Sequence, residues 1–186
     1  MSSSTHAPLC LPRDNWRLHP RFPAQVLLLG SHQNFRSVSA YLVQEAQAGR
    51  PSAPLESLFR RWISAMRSHE AYEERKLYPF LRRRWGVSFE AAEAGHRTLH
   101  KRYDEVIDAF ARVRVLATDN DGDEHDPRQS LLVQALQSHD RVLDEHLELE
   151  EDLVVPLLLE LSPTEFDFYC NSLITTLLRA YDNNRG

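Results

Sequence analysis

A chain of 186 residues fits a single domain and is long enough to bury a core without disulfides or a folding metal. A net charge of −5, with charged residues spread throughout, argues against a nucleic-acid partner. No apolar run could cross a bilayer or serve as a secretory signal, and Cys10 and Cys170, without a CxxC, suggest neither a disulfide framework nor a thiolate metal site, so a cytoplasmic protein with no membrane partner is expected.

Residues 1–21 are polar and broken by Pro8, Pro12 and Pro20, which predicts an extended arm. The pattern then turns helical. A first helix is predicted from Pro23 to Ala48, ended by Gly49 and Pro51, and a second from Pro54 to Arg84, with Gly86 as its stop. Ser88 caps a third, with Glu90 in its first turn, reaching Ala117. An acidic loop, Thr118 to Asp126, precedes a fourth helix from Pro127 to Leu161 with a kink expected near Pro156. Ser162, Pro163, Thr164 and Glu165 form a capping box that opens a short fifth helix to about Ala180. No strand-like alternation occurs. The prediction is an all-α, up-down-up-down four-helix bundle over residues 22–161, with the arm before it and a C-terminal helix and tail over 162–186.

Apolar residues at steps of three and four define each inward face, and polar residues on that face ask for an explanation. The second helix reads Leu55, Phe59, Trp62, Met66, His69, Glu73, Leu77, Phe80; the fourth reads Leu132, Ala135, His139, Val142, His146, Leu149/Glu150, Leu153, Leu157. The third reads Phe89, Ala92, His96, Leu99/His100, Tyr103, Ile107, Phe110, and the first reads Leu28, His32, Phe35, Val38/Ser39, Leu42. Each helix therefore turns at least one histidine inward, and two also carry an inward carboxylate in the pairs His69/Glu73 and His146/Glu150. A buried unpaired carboxylate costs several kcal/mol or gives up its charge. A buried salt-bridge network is one remedy, but Arg and Lys lie mostly off the stripes. Metal coordination satisfies His32, His69, Glu73, His96, His100, His146 and Glu150 together. Imidazole and carboxylate without thiolate suit iron, manganese or zinc, and two carboxylates able to bridge favour a two-metal site.

These residues resemble a known family. His32, the pair His69/Glu73 within HEAYEERKLYPFL, His96 and His100 within GHRTLH, and His146/Glu150 within HLELEEDLVVPLL are similar to the hemerythrin-like, HHE cation-binding proteins, over about residues 25 to 160. The resemblance implies a non-haem centre of two Fe ions, bridged by Glu73 and Glu150 and by an oxo or hydroxo group, with the histidines as terminal ligands. Oxygen-carrying hemerythrins place an Asp five residues after the last-helix histidine. Here that position is Glu151, which the helical wheel assigns to the polar side with Asp140, Asp144 and Glu148. Glu70 reads as a solvated helix residue, with an extra ligand or a proton relay as the alternatives. Tyr103 either borders the ligand pocket or is a plain core residue. His139 reads as a core or supporting residue, and His6, His19 and His125 as exposed.

The expected function is binding of O2 or a related small diatomic or peroxide ligand for storage or sensing. The alternative is a di-iron redox enzyme acting on hydrogen peroxide or nitric oxide. A ferritin-like oxidase needs Glu-x-x-His on two helices, and only Glu93 and His96 have that spacing; zinc hydrolysis lacks an HExxH.

Overall fold

The computed structural model describes residues 11–22, 26–50, 52–116, 127–169 and 171. His6, Cys10, the expected helix start at Pro23, the acidic loop with His125, Cys170 and the end of the fifth helix lie outside the described residues. Among the described residues the order is α1 (Arg13–Trp16), α2 (Val26–Gln47), α3 (Ser52–Tyr72), a π-helical turn (Glu73–Leu77), α4 (Tyr78–Trp85), α5 (Glu90–Leu116) and α6 (Pro127–Leu159). There are no strands among them, and no helix is long and apolar enough to cross a membrane. The chain forms an all-α bundle. It divides into two compact units, one of residues 26–151 and one of residues 1–25 with 152–186.

In the larger unit the helix ends follow local chemistry. α2 stops where Gly49 adopts a left-handed backbone (φ 69°), and the Arg50 N–H reaches back to the Glu45 carbonyl at 3.0 Å. Gly86 does the same after α4, its N–H bonded to the Arg82 carbonyl at 2.9 Å. Ser88 accepts the Glu90 N–H before α5.

The predicted second helix is one rod interrupted by the π turn. Pro79, in the first turn of α4, has no N–H for the carbonyl one turn back, and its ring crowds that carbonyl. A wider turn relieves both. Its consequence is a shift in register: Tyr78 and Leu81 are buried where an unbroken helix would bury Phe80, which is only partly covered.

Cross-helix contacts show α2, α3, α5 and α6 running antiparallel to the helices they meet. His32 and Phe35 of α2 meet His69 and Trp62 of α3. Glu70 and Phe59 of α3 meet Tyr103 and Phe110 of α5. His96 and Tyr103 of α5 meet His146 and His139 of α6. Ser39 and Ala46 of α2 meet His139 and Gln129 of α6. Phe59, Trp62, Met66, Phe110, Leu132, Leu136 and Leu143 fill the core below these histidines; each such side chain, fully buried, contributes about 1.5–3 kcal/mol.

The smaller unit contains α1, within the segment expected to be an extended arm, and the end of α6, which continues through Pro156. Trp16 donates its indole N–H to the Leu11 carbonyl at 2.8 Å. The expected capping box forms: Glu165 Oε2 accepts the Ser162 N–H at 2.9 Å, and Ser162 Oγ accepts the Glu165 N–H at 3.3 Å. Residues 163–169 and 171 are helical.

Candidate metal centre

Alternating directions bring the start of α2, the end of α3, the start of α5 and the later half of α6 to one level. There His32, Glu73, His96, His146 and Glu150 are buried, and the His69 side chain keeps 13 % of its surface. Two groups of metal-capable atoms result: His32, His69, Glu73 and Glu150 in one, His96, His146 and Glu150 in the other. Glu73 spans the two, with Oε1 at 2.7 Å from His69 Nε2 and Oε2 at 3.5 Å from His96 Nε2. Glu150 Oε2 stands 3.7 Å from His32 Nε2 and 3.8 Å from His146 Nε2.

Apart from the His69–Glu73 pair and a His32 Nε2 to His69 Nε2 contact at 3.0 Å, these atoms converge without bonding to one another. Of nine buried side-chain nitrogen and oxygen atoms lacking a hydrogen-bond partner among the described residues, six belong to Glu73, His96, His146 and Glu150. Buried polar atoms are otherwise almost always paired, so a cluster of orphans facing a common point calls for a cation. The charge states agree. Burial pulls His146 down to about 3, with His96 adding to the shift, so its ring is neutral. Burial alone would raise Glu73, but the surrounding histidines hold it well below the usual carboxylate range. Burial, then the charge of Glu73, holds Glu150 well above that range. Without a cation Glu150 is the carboxylate that favours keeping a proton, and a bound cation would take that proton's place.

The ring orientations are set from outside. His32 Nδ1 meets Glu151 Oε1 at 3.0 Å, and Arg36 donates to the same oxygen at 2.7 Å. His96 Nδ1 meets Glu74 Oε1 at 2.8 Å, and the Tyr78 hydroxyl donates to Glu150 Oε1 at 2.7 Å. Metal-binding histidines characteristically hold such a partner on the far ring nitrogen. His146 has none; its ring instead turns its Nδ1 edge to Gly95, where an added Cβ would meet Nδ1 first and come within 3.0 Å of Cε1 and 3.1 Å of Cγ.

A match to the family model "Hemerythrin HHE cation binding domain" covers residues 25–158. The chain belongs to the hemerythrin HHE cation-binding family. No curated protein and no solved structure gives a match. For a member of this family the buried His/Glu cluster is the natural cation site, and the orphaned atoms fit one.

Several sequence expectations about the hemerythrin-like site are revised. His100 is not in either group: its side chain is 46 % exposed, and Nε2 lies 2.7 Å from Glu70 Oε2. Glu70 is buried rather than solvated, and Tyr103, also buried, donates to its Oε1 at 3.0 Å. Glu151 is buried rather than on the polar side. The α6 stripe runs through Leu136 and Leu143, not Ala135 and Val142, and this rotation carries Glu151 inward beside Glu150. His139 is a core residue among Phe59, Trp62 and Tyr103, held down at about 4 by burial. Glu74 and Tyr78 went unnoticed because the π turn sets their direction. Gly95 had a readable signal: a glycine inside a long helix, beside a histidine, costs about 1 kcal/mol against Ala and implies close approach.

Proposed function

We propose that the chain holds two iron ions and binds O2 or a related small oxidant, for storage or sensing. In this reading His32 and His69 serve one ion, His96 and His146 the other, and Glu73 and Glu150 bridge them, with an oxo or hydroxo group completing the pair. The supporting observation is that five buried atoms without a hydrogen bond, both Glu73 oxygens, His96 Nε2, His146 Nε2 and Glu150 Oε2, lie in the two groups of metal-capable side chains that share Glu150. Bound iron supplies redox chemistry and an attachment point for a small oxidant. The chain's own contribution is to enclose the site, leave only His69 in contact with solvent, and hold the His32 and His96 rings through Glu151 and Glu74. The test is metal analysis with absorption spectra in air and after anaerobic reduction. Two irons per chain and a charge-transfer band that changes reversibly with oxygen are expected; an iron-loaded protein whose spectrum ignores oxygen overturns the reading.

One observation favours a second reading, a redox enzyme acting on hydrogen peroxide or nitric oxide. With His100 directed at Glu70, each ion would have two imidazoles and a share of Glu150, with Glu73 reaching toward both sides. With the oxo or hydroxo bridge counted, about one position of each six-coordinate ion would stay open, about two across the pair, which suits turnover more than reversible capture. Sustained loss of hydrogen peroxide or nitric oxide by iron-loaded protein supports it, and no turnover with either removes it.

A further inference from the structure

A chain of charged groups crosses the seam between α2 and α6 from solvent to the centre. Asp144, exposed, accepts from Arg36 Nε at 2.6 Å; Arg36 Nη1 donates to Glu151 Oε1 at 2.7 Å; the same oxygen faces His32 Nδ1 at 3.0 Å. The His32 and Glu151 side chains keep 0 % and 7 % of their surface, so this last contact is dry. The sequence pattern gives Glu151 no such place, and Glu151 is in neither group of metal-capable atoms.

We infer that Glu151 is a positioning residue of the centre: anchored by Arg36, it fixes the tautomer and rotation of His32. This rests on the metal-binding reading above. With its proton on Nδ1, directed to Glu151, His32 keeps a lone pair on Nε2, the nitrogen that lies 3.9 and 3.7 Å from Glu73 and Glu150 and 3.0 Å from His69 Nε2. Released from Glu151, the ring could instead place its proton on Nε2, where His69 Nε2 waits at 3.0 Å, and the lone pair would be lost to that hydrogen bond. A carboxylate acceptor also makes the imidazole a stronger donor to a cation. Arg36 plays a different part. It neutralises Glu151 and ties α2 to α6, so its removal acts first on the stability of the bundle.

The experiment is a Co2+ titration of metal-free full-length protein, followed by d–d absorption, with circular dichroism and thermal melting of each metal-free variant. Glu151→Leu is expected to lower Co2+ affinity roughly 10–100-fold and to alter the d–d spectrum, while the far-ultraviolet spectrum stays helical. Glu151→Gln keeps an acceptor for Nδ1–H but not the charge, and should lose less. Arg36→Met should lower the melting temperature with a smaller loss of affinity than Glu151→Leu. If Glu151→Leu does not fold, the near-isosteric Glu151→Gln carries the test, with a reduced affinity and a shifted spectrum still required. Unchanged affinity and spectrum in the folded Glu151 variants, with stability alone affected, overturn the proposal. A wild-type chain that takes up no Co2+ or iron overturns the functional reading and the proposal together; a wild-type chain that binds normally, with Glu151 variants that match it, overturns the proposal alone.

Discussion

Gly95→Ala is the sharpest test of the centre's geometry. The Cβ it adds would sit 3.0 Å from His146 Cε1 and 3.1 Å from Cγ, and nearer still to Nδ1. Ordinary carbon contacts lie at about 3.5–4.0 Å. Relieving the nearest contact, at Nδ1, takes more than about 1 Å of retreat by the ring or of separation between α5 and α6, whereas metal–ligand distances tolerate only about 0.2 Å. His146 is a buried ring between Gly95 and Glu150, so it has little freedom to absorb the change. Overpacking costs about 1–3 kcal/mol, offset by about 1 kcal/mol of improved helix propensity. The metal-free variant should then lose no more than about 2 kcal/mol, a few degrees in melting temperature, while uptake at the His96/His146 position falls at least about tenfold, the scale on which misplaced ligand shells lose affinity. Gly30→Ala is the control: it too lies inside a helix, but nothing stands within 4 Å of its added Cβ. It should leave uptake intact and match or exceed wild-type stability. Elemental analysis, metal titration and melting curves on the three proteins suffice. Full, tight uptake of two ions by Gly95→Ala would refute the assignment of His146 as a ligand held against that glycine.

His100→Ala should keep the full metal complement in elemental analysis, because His100 faces Glu70 rather than the cluster; a lost ion would restore it as a ligand. Tyr78→Phe removes the hydroxyl that holds Glu150 Oε1, and should cost about 1–2 kcal/mol in chemical unfolding of the metal-free protein; an unchanged midpoint contradicts this. His139 supplies a pH signature. Its folded pKa is depressed to about 4 from an ordinary 6.5 by burial, so the unfolded chain binds the proton more readily. Its stability contribution is complete above about pH 6.5 and falls as pH drops toward 4, by up to about 3 kcal/mol. His139→Leu should remove that slope in unfolding curves compared between pH 7.5 and 4.5, and an equal slope in both proteins would sink the argument.

The sequence by itself determined the helices and the composition of the site. Apolar steps of three and four mark every major helix, Gly49, Gly86 and the Ser162/Glu165 capping box mark their ends, and histidines and glutamates interrupting apolar stripes betray a polar centre because they are so costly to bury. Tertiary structure decided the rest. A wheel drawn on one helix carries an error of about one residue, or 100°. At α6 that error put Ala135 and Val142 inward instead of Leu136 and Leu143, and sent Glu151 to the wrong face. At α3 the π turn broke the period and brought Glu74 and Tyr78 onto the site. His100 shares a face with Leu99 in projection, yet the approach of α3 gives it Glu70 instead of the centre. Which polar residues face inward follows from burial energetics legible in one helix at a time; which of them meet, and which hold the others in place, depends on how four helices are rotated against each other.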